Sequence, residues 1–219
     1  MNTVTSPFTT ATRMSWLSLA LTGATTGAPI PAYPAPKTAV LAVDLQRDFL
    51  ADDARMPIAA PQVDPLLRAS NAVLDVAHQR GWRVVTIGNE FPPGDWLRNL
   101  IQHGAAIRGS RGAEIDPRVR RVSDAYFAKD RRDAFTNPAL DAWLRAEQVN
   151  HLVVLGVMAN ACVRATALGA RNRGYRVTLV RDAVGAPTDQ VRDSVLASLA
   201  RAGAEVVSAD DLVRGSSAR

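Results

Sequence analysis

Three side chains, widely separated in the chain, have the types needed for nucleophilic chemistry: Asp44, Lys129 and Cys162. Cys162 is the single cysteine among 219 residues. A thiol attacks a carbonyl as its thiolate, so it needs a base to take its proton and gains from a nearby cation. Each residue alone has a plainer role. A buried cysteine is usually an inert small hydrophobe, an aspartate a loop cap, and a lysine among arginines, as in "YFAKDRRDAF", a solvated face. Position argues for Cys162. It follows the loop "GVMANA" and opens a helical stretch, with Asn160 as a candidate cap. Free N–H groups and the positive end of a helix dipole there favour a thiolate and offer donors to an oxyanion. Asp44 ends an apolar run, where a carboxylate is costly unless hydrogen bonds or a cation meet it. "DLQRDF" places a second acid, Asp48, four residues on.

The elements that must position these residues follow from periodicity. "TAVLAVD" (38–44) is a continuous apolar run, as in a strand buried on both faces. Further strands are predicted over 82–88, 124–129, 151–157, 175–182 and, with a tail, 204–212. Helices are predicted over 64–81, 137–148, 161–173 and 188–203. For the first of these Asp64 is the expected N-cap, with Pro65 at the first helical position. Strands alternating with helices imply an α/β fold: three αβα layers around a mainly parallel, doubly wound sheet of about six strands. Such sheets bind ligands at the carboxyl ends of their strands. Asp44, Lys129 and Cys162 all fall at or near such ends.

The composition narrows the function classes. The formal net charge is +5, but the excess is arginine scattered along the chain, without aromatic interleaving or a nucleic-acid-binding motif. No nucleic-acid partner is expected. No run approaches the ~20 apolar residues of a membrane span. A lone cysteine makes no internal disulfide, which fits a reducing cytoplasm. The histidines, His78, His103 and His151, show no metal-ligand spacing and are expected to be structural or solvated. No phosphate-binding glycine loop or nucleophile-elbow motif occurs. Residues 1–36, with "PIPAYPAP" at 29–36, are expected to form a disordered or extended tail. "WLSLAL" (16–21) only faintly resembles a signal-peptide core. The folded domain is expected over 37–214, with a short tail over 215–219.

Taken together, "AVDLQRDF" (42–49), "KDRRDAF" (129–135), "GVMANACVRATALGARNRG" (156–174) and "VTLVRDAVGA" (177–186) resemble the isochorismatase-like cysteine hydrolase superfamily in order and spacing. The resemblance covers about residues 37–212. It implies a six-stranded parallel sheet and a catalytic triad of Asp44, Lys129 and Cys162. It also implies a cis peptide at Val157–Met158 and an oxyanion hole from the Met158 and Cys162 N–H groups. Relatives commonly oligomerise, so a homo-oligomer is expected. The chain departs from the family at Ala159, where many members have threonine, and at Asp133, where many have serine. The nicotinamidase branch carries an Asp-x-His metal cluster after the second strand. "GNEFPPGDW" (88–96) has no histidine, so neither a metal nor another cofactor is expected.

The cysteine leans the expected reaction toward hydrolysis of a carbon–nitrogen bond in a small amide or ureide, through a thioester. Alternatives are vinyl-ether hydrolysis of an isochorismate-like acid, with Asp44 as general acid, and a non-catalytic binding subunit. Candidate substrate contacts on the loops after the strands are Phe49, Asn89, Phe91, Trp96 and Tyr126. The stretch 108–121 holds five arginines and is read as a solvated loop rather than a device for steering an anion.

Overall fold

The computed structural model describes residues 26–215. Residues 1–25, including "WLSLAL", and residues 216–219 lie outside the described residues. Six strands form one sheet: β1 (Lys37–Val43), β2 (Arg83–Asn89), β3 (Ala125–Lys129), β4 (Val149–Gly156), β5 (Arg176–Val184) and β6 (Glu205–Val207). All pairings are parallel, in the order β3-β2-β1-β4-β5-β6. The helices are α1 (Arg47–Leu50), α2 (Ala60–Gln79), α3 (Trp96–Ile101), α4 (Pro138–Ala146), α5 (Arg164–Asn172), α6 (Asp189–Arg201) and α7 (Ala209–Arg214).

Side chains alternate across a strand, so one run of apolar residues serves two cores. Ala39, Leu41 and Val43 of β1 face Leu140, Leu144, Ala167 and Leu199 from α4, α5 and α6. Val40 and Ala42 face Leu66, Val73, Leu74 and Ala209 from α2 and α7. This is the expected three-layer arrangement. Burying each such Val or Leu contributes roughly 1.5–3 kcal/mol, which is why a strand in the middle of the sheet reads as unbroken hydrophobicity.

The chain lays β1, β2 and β3 down in one direction and then returns β4 to the other side of β1. The crevice at the carboxyl ends of β1 and β4 is therefore the topological switch point, where open parallel sheets hold their ligands. Asp44 follows β1 and Cys162 lies beyond β4, so the switch point falls between them. Here the backbones pack closely. Gly156 pairs with Val43, and Val157 N donates to Val43 O at 2.9 Å.

Two expected elements differ. The helix predicted from Asp64 begins at Ala60, with Pro61 in its first turn and Pro65 inside it. The ladder bond that Pro65 cannot donate would have gone to the carbonyl of Pro61. The start is held instead by the buried Gln62 side chain, which accepts from Ala186 N at 2.9 Å and donates to Asp189 at 2.9 Å. The predicted last strand stops at Val207, and α7 follows. Ser208 caps α7 by accepting from Asp211 N at 3.0 Å and donating to the Asp211 carboxylate at 2.6 Å. That Ser-x-x-Asp spacing is a readable capping signal.

Residues 26–36 contain no helix or strand, yet part of this stretch is docked. Ile30 N donates to Arg173 O at 2.8 Å, and Arg145 donates to the carbonyls of Pro29 and Ala28.

Gly156 has φ 120°, and a Cβ there would lie 1.9 Å from Val43 O. Gly156→Ala is expected to destabilise the protein by about 3 kcal/mol or more, through strained backbone plus strand separation. Urea denaturation would read this as a lower midpoint at unchanged slope.

Candidate active site

Asp44 leaves β1 with φ 54°, and its N–H is held by Ile87 O at 2.9 Å. Lys129 is the last residue of β3, and Asn89, the last of β2, is its register partner. Since β2 lies between β3 and β1, Asn89 is placed between the lysine and the aspartate. The Lys129 ammonium donates to Asp44 Oδ2 at 2.9 Å and to Asn89 Oδ1 at 2.7 Å. Asn89 Nδ2 donates to the same Asp44 oxygen at 2.8 Å and faces Cys162 Sγ at 3.6 Å. The three residues expected to act together thus meet at one point, with Asn89 as their junction. The Asp44 and Lys129 side chains are buried to within 1% of completely.

The circuit leaves Asp44 Oδ1 without a hydrogen-bond partner. The Cys162 thiol lies beside this carboxylate, and a hydrogen-bonding interaction between the two contributes to the proton affinity of each. Burial raises the Asp44 carboxyl above the ordinary aspartate value, against the opposing pull of Lys129. Burial depresses Lys129, but the negative charge of Asp44, the charge of Cys162 and the hydrogen bonds to both together outweigh it, and the net shift is upward. Burial and the Asp44 charge together push the Cys162 thiol up to about 11, with Lys129 opposing. The helix-start effect that favours a thiolate is outweighed here: in a water-poor site beside a carboxylate, the proton is held on sulfur.

The helix-start argument needs a second correction. A wider, π-type turn, Ala159–Val163, precedes α5, and Met158 stands at its N-cap position without a side-chain cap. Asn160 is exposed and caps nothing. The turn is held by backbone: Ala159 N donates to Gly185 O at 2.8 Å, and Gly185 N to Gly156 O at 3.0 Å. The hydroxyl missing at Ala159 is therefore not needed to form the turn. The Val157–Met158 peptide is cis. Among the described residues, no backbone carbonyl accepts from Met158 N–H.

A cavity of about 700 Å³ opens over the thiol. Phe49, Asn89 and Phe91 line it, as do Met158 and Cys162. The side-chain polar atoms of Asn89 also bond to Asp44 and Lys129 and face Cys162. Trp96 and Tyr126 are not among the walls. Trp96 lies on α3 with 73% of its surface exposed, beside the exposed Leu97, Leu100 and Ile101. Tyr126 points to the sheet face opposite Lys129, because the two stand an odd number of residues apart on β3. It lies over Gly88 and meets Glu90 at 2.8 Å.

Other residues escaped sequence reasoning. Gln46 is fully buried. Its side chain accepts from Asn89 N at 2.9 Å and donates to Asn89 O at 2.8 Å, clamping the junction residue. Its proximity to Asp44 was the available signal. Arg55, Arg131, Arg132 and His103 also line the cavity, whereas His103 was expected to be structural or solvated. His151 is structural: it bonds to Thr38 and Thr178, and burial with Arg176 nearby lowers its pKa to about 4. Among the described residues no group of three or more His, Cys, Asp or Glu is placed to hold a metal ion.

Residues 38–211 match the Isochorismatase domain family model. The chain belongs to the isochorismatase family. It is 26% identical to the nicotinamidase of Escherichia coli over 80% of this chain and 97% of that protein. Among solved structures, an isochorismatase-like hydrolase from Alkaliphilus metalliredigens superposes with a TM-score of 0.75, at 22% identity. It covers 82% of this chain and 98% of that one. The N-carbamoylsarcosine amidase of Thermoplasma acidophilum gives 0.68 at 27% identity, over 80% and 97%. Among the described residues no helix is long and apolar enough to cross a membrane.

Lys129→Met strands a buried carboxylate. The expected cost is about 3–5 kcal/mol. Without its cation the folded-state pKa of Asp44 rises further above the unfolded value, so the penalty is small below the unfolded pKa and grows as pH rises through that window. Denaturant titrations of wild type and variant at several pH values would measure the difference.

Proposed function

We propose that this protein is a cysteine amidohydrolase cleaving the carbon–nitrogen bond of a small amide or ureide. The observation that carries the reading is the meeting of Cys162 and Asp44 at the wall of a small-molecule-sized cavity, with Lys129 bonded to Asp44 and one Asp44 oxygen left unpartnered. The amide-hydrolysing activities named for the Escherichia coli and Thermoplasma relatives support the same class.

Because the resting thiol is protonated, attack and deprotonation must be coupled. Asp44 Oδ1 takes the thiol proton as Sγ bonds to the substrate carbonyl carbon and the carbonyl π pair moves onto oxygen. The raised pKa of Asp44 makes it a better base than an ordinary aspartate. The N–H groups of Met158 and Cys162 receive the oxyanion. As the tetrahedral centre collapses, the C–N bond breaks and Asp44 returns its proton to the departing nitrogen. A water then attacks the thioester, giving its proton to Asp44, and the thiolate leaves and recovers that proton. Lys129 stays protonated throughout and keeps the carboxylate ionised between proton transfers. Asn89, held by Gln46, keeps the circuit in register.

An ammonia-release screen over small amides and ureides tests the reading. Cys162→Ala is expected to lose at least about a thousandfold in kcat, and intact-mass measurement on wild type should catch an acyl adduct on this cysteine. Retained amide hydrolysis in Cys162→Ala, or pyruvate release from a vinyl ether that survives the substitution, would reject it.

The thiol's elevated pKa has its own signature. Alkylation of Cys162 by iodoacetamide should rise about tenfold per pH unit up to about 11. The kcat/KM profile should fall on its acid side above the pH of an ordinary aspartate, because protonating Asp44 removes the base.

A further inference from the structure

The mechanism uses the floor of the cavity and leaves its rim unexplained. That rim is cationic. Arg55, Arg131 and Arg132 line it, together with His103. Two carboxylates also reach the cavity: Asp44, neutralised by Lys129 at 2.9 Å, and Asp130, which faces Arg131 at 3.9 Å. Arg55 and Arg132 form no ion pair with any carboxylate among the described residues. The charge presented to a ligand is therefore positive.

The arginines sit on fixed backbone. Arg131 and Arg132 follow Lys129 after Asp130, and the next residue, Asp133, is buried and accepts from Phe135 N at 2.9 Å. Thr166 of α5 accepts from Ala134 N at 3.0 Å, tying this turn to the helix that follows Cys162. Also in the cavity lining, Arg55 donates from one arm of its guanidinium to Gly104 O at 2.6 Å. Its remaining N–H groups are available to a ligand. By contrast, three of the five arginines of the 108–121 stretch are engaged elsewhere: Arg118 pairs with Asp116, Arg120 with Asp75 and Arg108 with Glu90.

We propose that Arg55, Arg131 and Arg132 form a carboxylate subsite, and that the substrate is a small amide or ureide carrying a carboxylate away from its scissile bond. This rests on the amidohydrolase reading for the meaning of the cavity. Guanidinium groups present paired donors that match a carboxylate's two oxygens. A positive rim around a low-dielectric floor also concentrates anions at the nucleophile. A neutral amide would gain neither effect.

The lone cysteine supplies a test that needs no substrate. Iodoacetate and iodoacetamide deliver the same carbon to sulfur and differ in charge. Their rate ratio at Cys162, read by intact mass at low ionic strength, is compared with the ratio at an unstructured thiol peptide in the same buffer. The subsite predicts an iodoacetate preference about tenfold above the peptide's. The preference should shrink toward the peptide ratio in Arg55→Gln and Arg132→Gln, and in added salt. A wild-type ratio no higher than the peptide's, or one untouched by both substitutions, overturns the subsite and leaves the amidohydrolase reading standing. Failure of that reading would appear separately, as amide hydrolysis surviving Cys162→Ala with the alkylation ratio unchanged.

Discussion

The burial of one ion pair, Asp44 with Lys129, sets the terms for the rest of the site. Two charges removed from water are tolerated only when each compensates the other and the remaining polar atoms find partners. Here the aspartate oxygen Oδ2 and the lysine ammonium are joined to each other and to Asn89. The sheet order makes this possible. The two charged residues lie on strands that are not neighbours, and the strand between them ends in an amide that donates to one and accepts from the other. Gln46 extends the arrangement by binding both backbone polar groups of Asn89. A similarly shaped apolar trio would pack at least as well, so this pair is explained by its electrostatics rather than by stability.

The same burial shapes the thiol. A lowered pKa is one way to ready a cysteine; this site holds sulfur protonated beside a carboxylate whose affinity for protons is also raised. The raised proton affinity of the carboxylate suits the proposed transfer at the moment of attack rather than a standing thiolate. A protonated thiol is also slower to climb the oxidation ladder, which suits a chain whose only cysteine has no resolving partner.

Much of this was legible in the sequence because the physics is local. A continuous apolar run can only be a strand covered on both faces, and Asn-Pro and Thr-Asp pairs mark helix starts at 137 and 188 with side chains that cap in the structure. Asp44 stood out as a carboxylate ending an apolar strand and Cys162 as a lone thiol at a helix start, whereas Lys129 gained meaning only as their partner. What stayed hidden depends on packing at a distance. The helix at Ala60 starts early because Gln62 reaches Ala186, 124 residues away. Trp96 and Phe91 look alike as aromatic loop residues, and only the path of the chain turns one outward and the other into the cavity. The thiol's protonation could not be read from a helix start, since the dipole is a small effect beside burial. Arg131 and Arg132 were visible, but nothing in their spacing said that they line the cavity over Cys162.

The parallel sheet has a kinetic corollary. Lys129 and Asp44 are 85 residues apart, and Asn89 and Cys162 are 73 apart. No hairpin or local helix pair can assemble any part of the circuit early. Closing such long loops spends chain entropy before contacts return it, so parallel folds of high contact order form slowly. The chemistry is therefore absent from every partly folded form in which β1, β2, β3 and β4 are not all docked. A newly made chain acquires its reactive centre only when its sheet is complete, and the first recovered turnover in a refolding experiment marks that moment.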